Sequence, residues 1–337
     1  MTRRNLLRVL PWLIGVGLLI LIIRSVSFEE VVATLTRLRL WQIGALLLAN
    51  AFILLTITGR WWILLRGLGH NVPFPPLFVY RLGAFGLSYF TPGPHVGGEI
   101  LQVAMVEREH GVPRSDSLAA VALDKAIEFT INLTFLILGI AAILQWRIVP
   151  RDFGQQAIGL ALALLILPLA YLVATALGYY PATRVGRPLA RRWPRLTAAV
   201  DTVEESEIQV GRYFPRAPIA FILAVVVTLI GWAALILEYW LMIYFLGVEL
   251  SLPQLVAALT AARLSILMFL PAGLGALEAS QTTVFSLLGL DPAVGISASL
   301  LIRLRDTALG LLGLWWWNSH RVVARRRKGN EQPKAGG

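Results

Sequence analysis

Apolar residues run along this chain in long unbroken stretches, and most of the charge sits in the gaps between them. Six stretches reach the roughly 18 residues that a helix needs to cross a bilayer: 7–23, 41–65, 117–144, 156–178, 218–246 and 293–317. Two further apolar segments, 76–103 and 254–289, are interrupted near the middle by proline and glycine, at 92–98 and 271–275. Unpaired backbone is tolerated at membrane depth only against protein or a watery cavity. Both segments are therefore expected to be re-entrant helical hairpins, with a kinked full span as the alternative.

The pattern also repeats. A shift of 179 positions carries Pro92 onto Pro271, Glu99 onto Glu278 and Pro113 onto Pro292, and the run 41–65 onto 220–244. Three spans per half give the halves opposite orientation, so one hairpin enters from each side of the membrane. The expected fold class is an all-α polytopic membrane protein, with six spans and two re-entrant hairpins in an inverted-topology repeat. Residues 1–145 form the first repeat, with its hairpin at 76–103. Residues 146–320 form the second, with a cytoplasmic loop at 179–216 and its hairpin at 254–289. A basic, disordered tail covers 321–337. The first repeat needs 7–23 as its opening span, which argues for keeping that segment over reading it as a cleaved signal peptide.

Composition sharpens this. With 57% hydrophobic residues, 15% charged and a mean hydropathy of +0.71, the chain cannot build a soluble core with a polar skin. The formal charge of +11 raises nucleic acid as a partner. The arginines, however, cluster in short segments between apolar runs, which is loop charge and not a basic groove. Inner segments hold the arginines of 3–8, 60–66, 108–114, 184–216 and 321–327, while outer ones hold only Arg24, Arg37, Arg39, Arg147 and Arg151. That bias places both termini in the cytoplasm of a prokaryotic-type inner membrane. There is no cysteine and the four histidines lie far apart, so no metal or other cofactor is expected.

Candidate chemistry lies in the broken segments. A hairpin of two half-helices brings a helix N-terminus, with its unpaired N–H groups and positive dipole end, near mid-membrane, where an anion such as a lipid phosphate would sit. Gly93, Gly97 and Gly98, then Gly273 and Gly275, allow close backbone approach beside Pro92 and Pro271. Glu99 and Glu278 open the returning half-helices, either as simple caps or as carboxylates that meet a proton or an amine. The GLG of 273–275 has the look of a dinucleotide loop but lacks the strand and downstream acid such a loop needs. His95 is expected to be structural.

More charge lies within apolar runs: Arg81, Asp124, Lys125, Glu128, Glu238, Arg263, Arg303, Arg305 and Asp306. Exposed to lipid, the set would cost on the order of 25 kcal/mol, so its members must face one another or water. The repeat sets Asp124 opposite Arg303, and a cross-repeat pairing of these two, with Glu128 beside Arg81 or Arg263, is the expected arrangement. Such pairs either serve transport or only hold the halves together. Arg81 and Arg263 are the candidates for phosphate contact, because a guanidinium matches phosphate geometry. Segments 28–40 and 196–214 are expected to lie along the membrane surface, the latter with its acidic face in water.

The runs FTPGPHVGGEILQVAMVEREHGVP, SLAAVALDKAIEF and FLPAGLGALEAS resemble the flippase-like family that includes the transmembrane domain of lysylphosphatidylglycerol synthase, over roughly 5–320. The resemblance implies a polytopic protein that moves polar or charged lipids between leaflets. Bifunctional relatives add a soluble aminoacyl-transferase domain, which is expected to be absent from this chain. Gln102 stands where many relatives carry arginine, and Asp124 with Lys125 where they often carry a Glu-Arg pair. The expected function is a flippase for a lipid with an anionic or phosphate-bearing headgroup. An intramembrane enzyme that uses Glu99 and Glu278 as acid and base is the alternative, and a scaffold for a lipid synthase is another. No catalysis is expected. Further partners allowed by this are a second copy of the chain and a separately encoded lipid-synthesis enzyme.

Overall fold

The computed structural model describes residues 38–90, 97–146, 151–266 and 275–330, together with residue 36. Among these, eleven α-helices and one short 3₁₀ turn carry the fold. In chain order they are α1 (Leu40–Gly67), α2 (Phe74–Phe90), α3 (Gly98–His110), α4 (Arg114–Gln145), α5 (Arg151–Ala176), α6 (Pro181–Arg192), α7 (Thr197–Arg216), α8 (Pro218–Phe245), α9 (Leu252–Ile266), α10 (Ala276–Leu287) and α11 (Pro292–Asn330). Four are long and apolar enough to cross a membrane: α1, α4, the 158–176 part of α5, and α8. The apolar run 293–317 lies within α11, where Arg303, Arg305 and Asp306 interrupt it. The run 7–23 lies outside the described residues, as does most of 28–40.

Exposure is inverted relative to a water-soluble protein. Leu40 is 88% exposed and Leu48 74%, whereas Asp124 is fully enclosed and Arg60 and Arg303 are 2% and 3% exposed. A hydrocarbon solvent selects this distribution, because leucine loses nothing on facing lipid and a charge loses several kcal/mol.

The helix order repeats as the sequence does. Shifted by 179, α1 maps onto 219–246, within one residue of α8, and both helices have 28 residues. On the same shift α2 and α3 fall on α9 and α10, and α4 falls within α11. Each proline-broken segment is thus two helices, α2 with α3 and α9 with α10, and in each case the two pack together. The breaks themselves, with Pro92, Gly93, His95, Pro271 and Gly273, lie outside the described residues.

Helix α1 packs along α8, α2 along α11, and α9 along α4. The α2–α11 crossing is made by glycine. A Cβ on Gly313 would run into the carbonyl oxygen of Leu82, and one on Gly86 into that of Gly310. In lipid, where no hydrophobic force drives helices together, such close backbone approach supplies the van der Waals contact that holds them. Similar crowding by Thr260 at Gly139 marks the α9–α4 contact.

Beyond α5 the chain forms a helical hairpin, α6 and α7. Glu207 of α7 is buried and accepts hydrogen bonds from the amides of Ala182 and Thr183, each at 2.9 Å, and from the Thr183 hydroxyl at 2.6 Å. It therefore caps the N-terminus of α6 from across the hairpin. The segment 196–214, expected on the membrane surface, instead packs against α4, α5 and α6. The chain beyond residue 320, expected to be disordered, continues α11 as helix to Asn330.

Candidate functional site

The charges inside the apolar runs gather into two clusters. In the first, Asp124 of α4 accepts from Nε of Arg60 at 2.6 Å and from Nη1 of Arg81 at 2.9 Å. One turn on, Glu128 accepts from Nη2 of Arg60 at 3.0 Å and from Lys125 at 3.3 Å, with Arg81 at 3.8 Å. Arg81 also donates to Gln102 at 3.1 Å, and Lys125 lies 3.2 Å from Oε1 of Glu99. These bonds tie α1, α2, α3 and α4 at one place.

The second group lies along α11 and makes two sets of bonds, one to α8 and α1 and one to α10. Arg305 donates from Nη1 to both oxygens of Glu238, at 2.8 and 2.9 Å, and from Nε to Asp306 at 2.8 Å. Asn50 of α1 donates to Glu238 at 2.9 Å. Arg303 grips Glu278 through both Nε and Nη2. Paired in this way, each charge keeps much of the stabilisation it would otherwise draw from water.

Each hairpin glutamate has two tasks at once. Glu99 Oε2 accepts from the amide of Gly97 at 2.8 Å, and Glu278 Oε2 from the amide of Gly275 at 3.1 Å, so both cap their own helices. The other oxygen of each reaches a cation on the last helix of its repeat, Lys125 or Arg303. Gly97 and Gly275 hold φ of 135° and 79°, which a side chain would strain. Gly98 lies against the Ala84 carbonyl, and its amide donates to Ser88 Oγ at 2.9 Å, fastening the two arms.

Arg263 of α9 stands apart. Its guanidinium lies 5.0 Å over the ring of Trp232 and feels the charges of Arg305, Glu238, Asp306 and Glu128. No hydrogen bond or ion pair joins it to any of the described residues. Charges nevertheless balance across the whole site. The first cluster sets Arg60, Arg81 and Lys125 against Glu99, Asp124 and Glu128, and the second sets Arg303 and Arg305 against Glu238, Glu278 and Asp306. Arg263 is the remaining cation among the described residues, balanced at a distance, with five N–H donors that meet no acceptor among them.

One sequence expectation is corrected by these contacts. Asp124 pairs with Arg60 and Arg81, not with Arg303, whose carboxylate partner is Glu278. Arg81, expected to meet phosphate, donates from Nη1 to Asp124 and Gln102, and its Nη2 lies 3.8 Å from Glu128, the carboxylate that the sequence also offered it. Arg60 was counted with the inner loop charge, yet it is buried at the heart of the first cluster. Its position inside the run 41–65 was the signal. Gln281 was missed as well. The shift that matches the glutamates matches it to Gln102, and both amides are buried: Gln102 accepts from Arg81, and Gln281 accepts from the Tyr239 hydroxyl and donates to the Ala258 carbonyl. Among the described residues no three His, Asp or Glu side chains are placed to hold a metal ion.

Comparison with known proteins places the site in context. The family described as the lysylphosphatidylglycerol synthase TM region matches residues 8–313. The chain is 21% identical over 304 residues to the UPF0104 membrane protein PH1989 of Pyrococcus horikoshii, covering 87% of this chain and 90% of that protein. No solved structure matches it. The family match covers both charge clusters, and the chain is thus a membrane protein belonging to the lysylphosphatidylglycerol synthase TM-region family.

Proposed function

We propose that this protein moves a phosphate-bearing lipid headgroup between the leaflets of a prokaryotic inner membrane, with both of its termini cytoplasmic. The carrying observation is Arg263, a guanidinium inside an apolar segment whose N–H donors meet no protein acceptor among the described residues. A phosphate oxygen is the acceptor that best matches its planar fork. The lipid's acyl chains would stay in hydrocarbon while its head passes the charge clusters, so the polar part never meets oil.

The helix lengths support re-entrant hairpins in an inverted repeat. At 17, 13, 15 and 12 residues, α2, α3, α9 and α10 fall short of the ~20 residues of a span. The shared 179-residue offset between helices of the two halves supports the repeat. With 7–23 and α11 as the fifth and sixth crossings, the halves would lie in opposite senses, and each hairpin glutamate would be latched to the last helix of its own half. The paired charges would then be the walls of a polar path, with Arg263 as its contact point.

The test is reconstitution in liposomes with fluorescent phospholipids and measurement of transfer between leaflets. Wild type should transfer lipid of unchanged mass, and Arg263→Gln, Glu99→Gln and Glu278→Gln should slow it at least tenfold while still inserting. Transfer at the wild-type rate by all three variants would refute the proposal. A lipid product of new mass would point to the enzyme instead.

A further inference from the structure

We propose that α6 is a peripheral docking helix that lies on the anionic headgroups of the leaflet where α5 ends. This stands independently of lipid transport and needs only that α5 crosses the membrane. Four residues separate α5 from α6, so α6 begins within about 18 Å of the end of the span. The face of α6 carrying Thr183 and Ala190 is buried, with Gly186 against Val200 of α7. Its other face is turned outward and is both basic and apolar.

The basic flank carries Arg184, Arg187 and Arg191, which line a cavity of about 390 Å³ together with Tyr180, Thr183 and Glu204. Arg187 is neutralised by Asp201 and Glu204. Arg184 and Arg191 have no carboxylate partner among the described residues, and Arg184 rests on the ring of Tyr179 at 4.9 Å. The apolar flank exposes Val185 by 69% and Leu189 by 43%, and Leu177, Tyr179 and Trp193 stand exposed at either end.

Water would disfavour that apolar flank, and hydrocarbon would disfavour the arginines. The boundary between headgroup and acyl chain suits both, since aliphatic and aromatic groups enter the boundary while guanidiniums stay level with phosphates. Three arginines without a carboxylate partner among the described residues, Arg184, Arg191 and, beside Trp193, Arg192, select an anionic leaflet over a zwitterionic one, because each cation near such a surface adds to the attraction. The buried cap that Glu207 places on α6 serves this arrangement: it fixes the helix end from within, so the outward arginines need no partner from the protein.

The chain contains no cysteine, which makes single labels straightforward. A nitroxide on Val185→Cys is followed by power-saturation electron paramagnetic resonance in nanodiscs of phosphatidylcholine alone and of phosphatidylcholine with phosphatidylserine. Anionic lipid should move the label from access to a water-soluble nickel chelate toward access to oxygen, with roughly a tenfold change in the docked fraction. Arg184→Gln, Arg191→Gln and Arg192→Gln together should abolish the dependence on phosphatidylserine; all three positions are exposed, so the fold is retained. A label on Glu205→Cys, exposed on α7, should stay in water throughout. A Val185 label that stays in water in both lipids overturns the proposal. So does one equally deep in both, or a dependence on phosphatidylserine that survives the triple substitution.

Discussion

Lys125 lies 3.2 Å from Oε1 of Glu99, while the other oxygen of the same carboxylate caps the helix that carries it. The partner arrangement in the second half differs in strength. Lys125 divides its attention between Glu99 and Glu128, 3.3 Å away, whereas Arg303 holds Glu278 with two nitrogens. A planar bidentate pair is tighter than an ammonium shared between carboxylates. Glu278→Gln is therefore expected to lower stability by about 3 kcal/mol and Glu99→Gln by about 1 kcal/mol, since Lys125 keeps Glu128. Thermal unfolding of purified variants in one detergent checks the order. Equal losses would show that the two latches are alike.

Asp124 is the most enclosed acid of the first cluster, with a guanidinium on each oxygen. Asp124→Asn leaves Arg60 and Arg81 facing each other with half their counter-charge, and should cost about 3–5 kcal/mol. Removing the pair together, Asp124→Leu with Arg60→Met, should cost clearly less than the sum of the single changes. A double-mutant cycle measures the difference, and a coupling near zero would mean that Arg60 draws its stability from Glu128 instead.

Much of the helical order could be read from hydropathy, because lipid imposes a length and an apolar composition on any helix that spans it. The runs 41–65, 117–144, 156–178 and 218–246 return as α1, α4, α5 and α8. Hydropathy carries no information about which face of a helix a charge occupies, and this is where the pairing went astray. The repeat shift made Asp124 the counterpart of Arg303, but equivalence in a repeat means the same place in each half, not contact between halves. Asp124 found its cations in its own half, on α1 and α2. Arg60 was misassigned because an arginine near the end of an apolar run looks the same whether it faces the cytoplasm or turns inward to a carboxylate. The short connection from α5 hid a different feature: the hairpin of α6 and α7 depends on Glu207 meeting amides 24 and 25 residues away, a contact no periodicity records.

The α2–α11 crossing leaves no space for a methyl group. Gly313→Ala would press Cβ on the Leu82 carbonyl, a backbone atom that cannot swing aside, and should cost about 1–3 kcal/mol. Gly44→Ala on α1 meets nothing within 4 Å and serves as the control, with an expected gain of up to about 1 kcal/mol from helix propensity. Unfolding temperatures of the two variants should move in opposite directions. A Gly313→Ala protein as stable as wild type would mean that the two helices separate without loss.

Arg263 separates stability from function. Replacing a paired buried arginine should destabilise, yet this guanidinium has no acceptor to lose among the described residues, and its contact with Trp232 contributes only about 0.5–2 kcal/mol. Relief of its desolvation offsets that contact, so Arg263→Met should leave stability within about 1 kcal/mol of wild type. Lipid transfer should nevertheless fall at least tenfold, because the phosphate loses its donor. Arg263→Lys, a point charge without the fork, should fall between the two in transfer rate. Unfolding and liposome transfer measured on the same preparations decide the matter. A loss of several kcal/mol in Arg263→Met would show that the arginine is a structural member of the second cluster, and unchanged transfer would remove it from the path.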